Sequence, residues 1–292
     1  MRRSTSVPAL AVVPSDAPIQ TGRPWTGSRD VKLSILMPAY NESHTIERAV
    51  RVVLGTRFPC EVELIIVNDG SKDDTGVLLD AIEDPRALVH HHPHNLGKGA
   101  ALQTAAALAT GTHIVPFDAD LEYEPGDLAR MLEPVLADRC DIVYGTRLFG
   151  ANTVYQSYRH AMGNRALTLA ANLLFDSYLS DLHTCLKLVP LALFRQLELK
   201  ESGFGLDTEI TAKILKLGVR PFEVPVSYHS RSIAMGKKIT WIDGIECLQV
   251  LSRIRFGKAT VSVPVAPAPV RVTRGAAVHH RGGEPLGEAA AG

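Results

Sequence analysis

The chain has 292 residues, and its 31 Lys plus Arg balance 31 Asp plus Glu, which leaves a formal net charge of zero. Nothing in that balance asks for a nucleic-acid partner. Hydrophobic residues make up 46% of the chain, enough for one sizeable core, yet no stretch approaches the roughly 20 apolar residues that span a bilayer.

Residues 1–30 lack periodicity and are rich in Pro, Ser, Thr and Gly. The apolar patch Ala9 to Val13 lies between Pro8 and Pro14 and is too short for a signal-peptide core, so a disordered tail is predicted. Leu33 to Met37 reads as a buried strand ending at Pro38. Ser43 to Leu54 has helical spacing at Ile46, Ala49, Val50 and Val53. Glu61 to Val67 is a β-branched strand that runs into Asn68-Asp69-Gly70-Ser71. Asp73 or Asp74 caps a helix through Ile82, and Ala87 to His90 is a third strand. The run His90-His91-His92-Pro93-His94 at its end is predicted to be solvated and receives no role. An Ala-rich helix is predicted over Gly99 to Thr110, then a strand over Thr112 to Phe117, a helix over Gly126 to Ala137 and a strand over Asp141 to Tyr144.

After Arg147 the pattern is less regular. Helices are predicted over Tyr158 to Leu174 and Leu206 to Leu217, and strands over Leu186 to Val189 and Arg220 to Val226. Residues 258–292 read as a second disordered tail. The four cysteines, Cys60, Cys140, Cys185 and Cys247, form no C-x-x-C pair, so reduced thiols in a cytoplasmic protein are expected.

Strands alternating with helices predict an α/β domain over residues 31–257, with a mostly parallel central sheet and helices on both faces. Ligands of such sheets bind beyond the carboxyl ends of the strands, where Asn41-Glu42, Asp69 and Asp118 to Asp120 fall. Asp118-Ala119-Asp120 is the most informative segment. Strand alternation lets two carboxylates share a side, and hard oxygen ligands suit Mg²⁺ or Mn²⁺ carrying a diphosphate. Glu122 repeats the spacing. A lone D-x-D triplet is equally a solvated acidic turn. Gly97-Lys98-Gly99 precedes a helix, a place where backbone approaches a ligand and anions are favoured. Lys98 is expected to meet a diphosphate or sit near a sugar.

KLSILMPAYNE from Lys32, EVELIIVNDGSKDDT from Glu61, NLGKGAALQT from Asn95, the Asp118 segment, VYGTR from Val143, ESGFGLDTEI from Glu201 and YHSRSIAMGKKITW from Tyr228 occur in a fixed order. Together they resemble the family 2 glycosyltransferases with a GT-A fold, and within them the dolichyl-phosphate mannose and glucose synthases, over about Val31 to Phe256. The resemblance implies a nucleotide-sugar half (31–147) and an acceptor half (148–257). It implies that Pro38, Tyr40 and Glu42 hold the base and ribose, with Val67 and Asp69 at the base edge. Asp120 becomes the first metal ligand, and Asp118 contacts the ribose or the metal through water. Glu122, where similar chains often have Gln, adds a further ligand. Arg147, Arg231, Lys237 and Lys238 are then phosphate partners. HSRSIAMGKK closes over the diphosphate with Gly236 as its hinge.

The implied reaction is inverting transfer of a hexose from a nucleotide diphosphate sugar, GDP-mannose or a UDP-sugar, to a polyprenyl phosphate. Asp120, Asp207 and Arg231 are its expected catalytic residues. A hydroxyl acceptor on a glycan, lipid or metabolite is the alternative. That acceptor needs a base, for which Asp207 and Glu209 qualify. Asp181 reads as structural or near the sugar, and Arg165 as facing an acceptor phosphate. A sugar-nucleotide binder without catalysis and a nucleotidyltransferase are the rivals. The complete acidic and basic sets oppose the first, and PAYNESHT after the first strand opposes the second. Ala161 to Leu179 and Ile239 to Phe256 combine apolar and basic residues, so peripheral membrane contact is expected at the inner face of the membrane.

Overall fold

The computed structural model describes residues 30–148, 153–154, 158–203, 205–230 and 241–257. The predicted tails, apart from Asp30, and the loop residues Arg231, Gly236, Lys237 and Lys238 lie outside the described residues.

The apolar run that opens the domain forms β1 (Lys32–Ala39), and α1 (Ile46–Gly55) succeeds it. Next come β2 (Glu61–Asn68), α2 (Thr75–Asp80), β3 (Ala87–His91), α3 (Lys98–Leu108), β4 (His113–Pro116), α4 (Gly126–Leu136) and β5 (Val143–Thr146). The second half contributes β6 (Thr153–Val154), α5 (Tyr158–Phe175), β7 (Lys187–Pro190), α6 (Leu191–Gln196), α7 (Gly205–Lys216), β8 (Phe222–Pro225), β9 (Tyr228–His229) and α8 (Trp241–Phe256).

Seven strands form one sheet in the order β3-β2-β1-β4-β7-β5-β8, and β6 pairs with β9 apart from it. β1 pairs in parallel with β2 and β4, β2 with β3, and β5 with β8. β7 is antiparallel to both neighbours, β4 and β5. Its first residue, Lys187, therefore lies toward the carboxyl ends of the parallel strands.

Strand alternation divides the core into two layers. Leu33, Ile35 and Met37 of β1 and Leu64 and Ile66 of β2 pack with α1, α2 and α4. Leu36, Ile65 and Val67 point to the other face and pack with α3 and α5 to α8. Helices thus cover both faces, as the periodicity predicts. Burying each such Leu or Ile contributes about 1.5–3 kcal/mol.

Candidate active site

Register brings the predicted donor residues to one edge. Pro38 pairs with Val67, and Leu36 pairs with Pro116. Asp118, two residues past Pro116, is therefore level with Pro38. The loops after β1 and β2 are stitched together. Asn41, at a φ of 56°, receives a hydrogen bond from Lys72 N on its Oδ1 at 2.8 Å and donates its own N–H to Ser71 Oγ at 3.0 Å. Glu42 N donates to Thr75 Oγ1, and Ser43 N to Asp73 Oδ2. Partial burial works against the Asp73 charge, but hydrogen bonds from Thr75 and Ser43 hold its carboxyl down to about 2. Tyr40 leaves its ring 41% exposed above this floor, where a base can stack.

Asp69 is buried and heavily used. Oδ1 accepts from Leu96 N at 2.9 Å and from the His92 ring at 2.8 Å, and Oδ2 accepts from Gly97 N at 2.8 Å. These bonds tie the turn after β2 to the Gly97-Lys98-Gly99 loop. His92 is correspondingly buried between Asp69 and Thr104 Oγ1, the exception in a run whose His90, His91 and His94 are exposed as expected. The glycines also permit a close approach within the chain. A Cβ on Gly99 would lie 2.1 Å from Glu201 O, and one on Gly97, at a φ of +94°, would lie 2.8 Å from Ser202 Cβ. Gly99→Ala is therefore expected to destabilise by about 2–4 kcal/mol, because backbone must move. Urea unfolding checks this, and an unchanged midpoint would refute the contact.

Ala119 is buried in the core, while Asp118 and Asp120 on either side are half-buried. Leu121 comes next at a φ of 60°, an uncommon conformation for a branched-chain residue, so the turn after the two carboxylates is held in place by its surroundings. Lys98 Nζ stands 2.8 Å from Asp118 and 3.8 Å from Cys185 Sγ. Burial opposes the Lys98 charge, but Asp118 outweighs it and lifts the ammonium well above its ordinary value. Asp120 Oδ1 accepts from Glu122 N at 3.1 Å. Glu122 is buried, and its Oε2 accepts from Tyr228 OH at 2.7 Å while its backbone oxygen accepts from His229 N. Among the described residues no three Asp, Glu, His or Cys side chains gather as a metal cage. The Asp118, Asp120 and Glu122 set is therefore not prebuilt. The hard carboxylate oxygens of Asp118 and Asp120 would still suit Mg²⁺ or Mn²⁺.

A second charged cluster lies nearby, around Arg147, Asp181, Lys187 and Asp207. Arg147 makes a bidentate pair with Asp181, Nε to Oδ2 at 2.7 Å and Nη2 to Oδ1 at 2.8 Å, and its guanidinium lies 4.9 Å from the Tyr228 ring. Burial penalises the Asp181 charge, but Arg147 holds the carboxyl down to about 2. Asp181 also accepts from Asn164 on α5, which gives it a structural part. Asp207, on the first turn of α7, pairs at 2.6 Å with Lys187 Nζ. Burial pushes this carboxyl up, but Lys187 and then Lys98 overcome that and keep it below the usual range. His183 bridges Asn164 and Thr208, and burial drops its pKa to about 4, so it is neutral near pH 7. Glu209 is not a base candidate in this geometry. It is buried, accepts from Lys200 N and Glu201 N, and pairs with Lys213 at 2.7 Å. Arg165 is exposed on α5. Lys187, His183 and Tyr228 were missed in the sequence. The one available signal was a lysine inside the apolar run Cys185-Leu186-Lys187-Leu188-Val189.

The family model described as glycosyl transferase family 2 matches residues 34–197, more than half of the chain. The chain belongs to glycosyl transferase family 2. This glycosyltransferase is 31% identical over 210 residues to glycosyltransferase AglD of Haloferax volcanii, covering 69% of the chain but 34% of that relative. It is 26% identical to the UDP-N-acetylglucosamine--dolichyl-phosphate N-acetylglucosaminyltransferase of Methanococcus voltae, over 78% of the chain and 98% of the relative. The chain thus spans about a third of the first relative's length and nearly all of the second's. Among solved structures, glucosyl-3-phosphoglycerate synthase from Mycobacterium tuberculosis, bound to Mn²⁺ and UDP, superposes with a TM-score of 0.56 at 20% identity. That match covers 77% of this glycosyltransferase and 80% of that chain, and it shows a shared GT-A fold.

Proposed function

We propose that this glycosyltransferase moves a hexose from a nucleotide diphosphate sugar to a polyprenyl-type lipid phosphate, with inversion and with Mg²⁺ or Mn²⁺ at Asp120. The observation that carries the acceptor is the state of Asp207. Its pairing with Lys187 keeps the carboxyl below the usual range, which makes it a poor proton acceptor near neutral pH. A hydroxyl acceptor needs such a base. A phosphate monoester is already ionised and attacks the anomeric carbon directly, so positioning and charge stabilisation carry the step. The relative from Methanococcus voltae, named for a dolichyl-phosphate acceptor, supports the same class and makes UDP-N-acetylglucosamine a donor to test first.

In this reading Tyr40 and Pro38 pack on the base and Glu42 takes the ribose, while the expectation that Val67 and Asp69 meet the base edge gives way: Val67 is in the core, and Asp69 is buried and spends its oxygens on Leu96 N, Gly97 N and His92. Asp120, with Asp118 beside it, holds the cation. That cation supplies Lewis-acid stabilisation of the leaving diphosphate. Lys98 balances Asp118 until the phosphates arrive and then shares their charge. Arg147 orders the acceptor side through Asp181. The work is done at the cytoplasmic face of a membrane.

The test is nucleotide release from GDP-mannose, UDP-glucose and UDP-N-acetylglucosamine in Mn²⁺, with and without a short polyprenyl phosphate. Release from one donor, dependent on the lipid phosphate and lost in EDTA, is the expected result. Asp207→Asn should keep most of that release. Release that ignores the lipid but responds to sugar hydroxyls, and that collapses in Asp207→Asn, would move the acceptor to a hydroxyl.

A further inference from the structure

Helix α5 carries two opposite faces. Asn164, Thr168, Ala171 and Phe175 repeat at helical spacing and point inward. Asn164 bonds Asp181 and His183, Thr168 Oγ1 accepts from Leu182 N, and Ala171 and Phe175 enter the core. The inner face thus borders the acceptor half of the site. The outer face presents Met162, Leu169 and Leu173 to solvent, the last two 58% and 76% exposed. Tyr158 at the helix start and Tyr178 just beyond its end extend that surface.

Helix α8 runs alongside. Arg255 Nε reaches Leu174 O at 2.6 Å, and Val250, Leu251 and Ile254 join the same core as the inner face of α5. Ile242, Ile245 and Leu248 are left exposed on the opposite side of α8. Two adjacent helices therefore turn large apolar side chains outward together, a patch that marks an interaction surface. Its charge selects the occupant. α5 contains Arg159 and Arg165, both exposed, and neither Asp nor Glu along its whole length. α8 ends in Arg253 and Arg255, with Asp243 and Glu246 half-buried nearer its start. Among the described residues no helix is long and apolar enough to cross a membrane.

We propose that the outer faces of α5 and α8 dock on an anionic lipid bilayer. The apolar side chains enter the headgroup boundary, and Arg159 and Arg165 meet lipid phosphates. This deepens the lipid-phosphate reading and rests on it for its purpose. Asn164 on the inner face then stands one helix thickness from the lipid that brings the acceptor.

Flotation of the full chain with vesicles tests this without turnover, so its failure is separable from failure of the proposed reaction. Vesicles of phosphatidylcholine mixed with phosphatidylglycerol should float the protein, those of phosphatidylcholine alone far less, and salt should weaken the binding. Arg159→Ala with Arg165→Ala should lower partitioning about tenfold. Leu169→Glu with Leu173→Glu should remove it, while calorimetric donor binding stays unchanged as the folding control. No flotation of the parent chain, or flotation of both variants equal to the parent's, overturns the proposal. So does sedimentation showing a dimer that Leu169→Glu with Leu173→Glu dissociates, since a second copy would then own the face.

Discussion

Asp120→Ala is expected to lower sugar transfer by about 10²–10³-fold or more, with the fold intact. The side chain is half-buried at a turn and accepts a hydrogen bond from Glu122 N, only two residues away, so little packing is lost. What is lost is the carboxylate that would fix a cation against the departing diphosphate. The leaving group then develops charge without compensation. Initial rates of nucleotide release at saturating donor measure the effect, with thermal melting as the control. Asp118→Asn should fall less, because Lys98 remains to meet the phosphates. Full activity of Asp120→Ala in EDTA would remove the metal from the mechanism.

Lys187→Met is expected to cost about 1.5–3 kcal/mol of stability, the worth of a hydrogen bond to a charged group, because the partner it strands is partly exposed. Lys187 is 1% exposed and serves Asp207, the Thr184 carbonyl and the face of Tyr144 at once. Methionine fills the volume but leaves Asp207 without its nearest cation. Adding Asp207→Leu should recover most of the loss, which denaturant unfolding of the single and double variants measures. The pair also has a pH signature. The folded carboxyl titrates below its unfolded value, so its contribution is complete above about pH 4 and disappears as pH falls through the folded pKa. In Lys187→Met the same carboxyl loses its strongest favourable partner, so its folded value rises toward the unfolded one and less stability is lost on acidification. Parallel pH–stability curves for the two proteins would refute the pairing.

The first half of the fold was legible because its signals are local. The apolar run of β1 and the periodic Ile46, Ala49, Val50 and Val53 of α1 each announce their element within a few residues. Of the two acids offered as the cap of α2, Asp74 occupies the N-cap position without a side-chain bond, while Asp73 accepts from Thr75 N. α6 escaped notice because six residues directly after Pro190 show too little period. β6 and β9 escaped because two residues show none. In the site, the carboxylates were readable as a set, but their partners were not. Lys98 meets Asp118 across 20 residues and Lys187 meets Asp207 across another 20, distances that only the folded sheet closes. The glycines were read as room for a ligand. The segment they admit, Glu201 and Ser202, lies in the other half of the domain, far beyond the reach of any local pattern. His92 looked solvated from its place at a strand-to-loop junction, because nothing local says that Asp69 and Thr104 enclose it.

The reversed direction of β7 gives this enzyme a division of labour. Had that slot held a strand running with its neighbours, its starting residues would lie at the far end of the sheet. Because it runs the other way, residues 183–187 arrive at the reaction edge directly from the preceding loop, beside Arg147 and Asp118. In the proposed reading the loops leaving β1, β2 and β4 serve the donor, and the loop entering β7 serves the acceptor together with the first turn of α7. Grafting the 176–186 loop from a relative should therefore change which acceptor is accepted while the choice of nucleotide stays with the recipient.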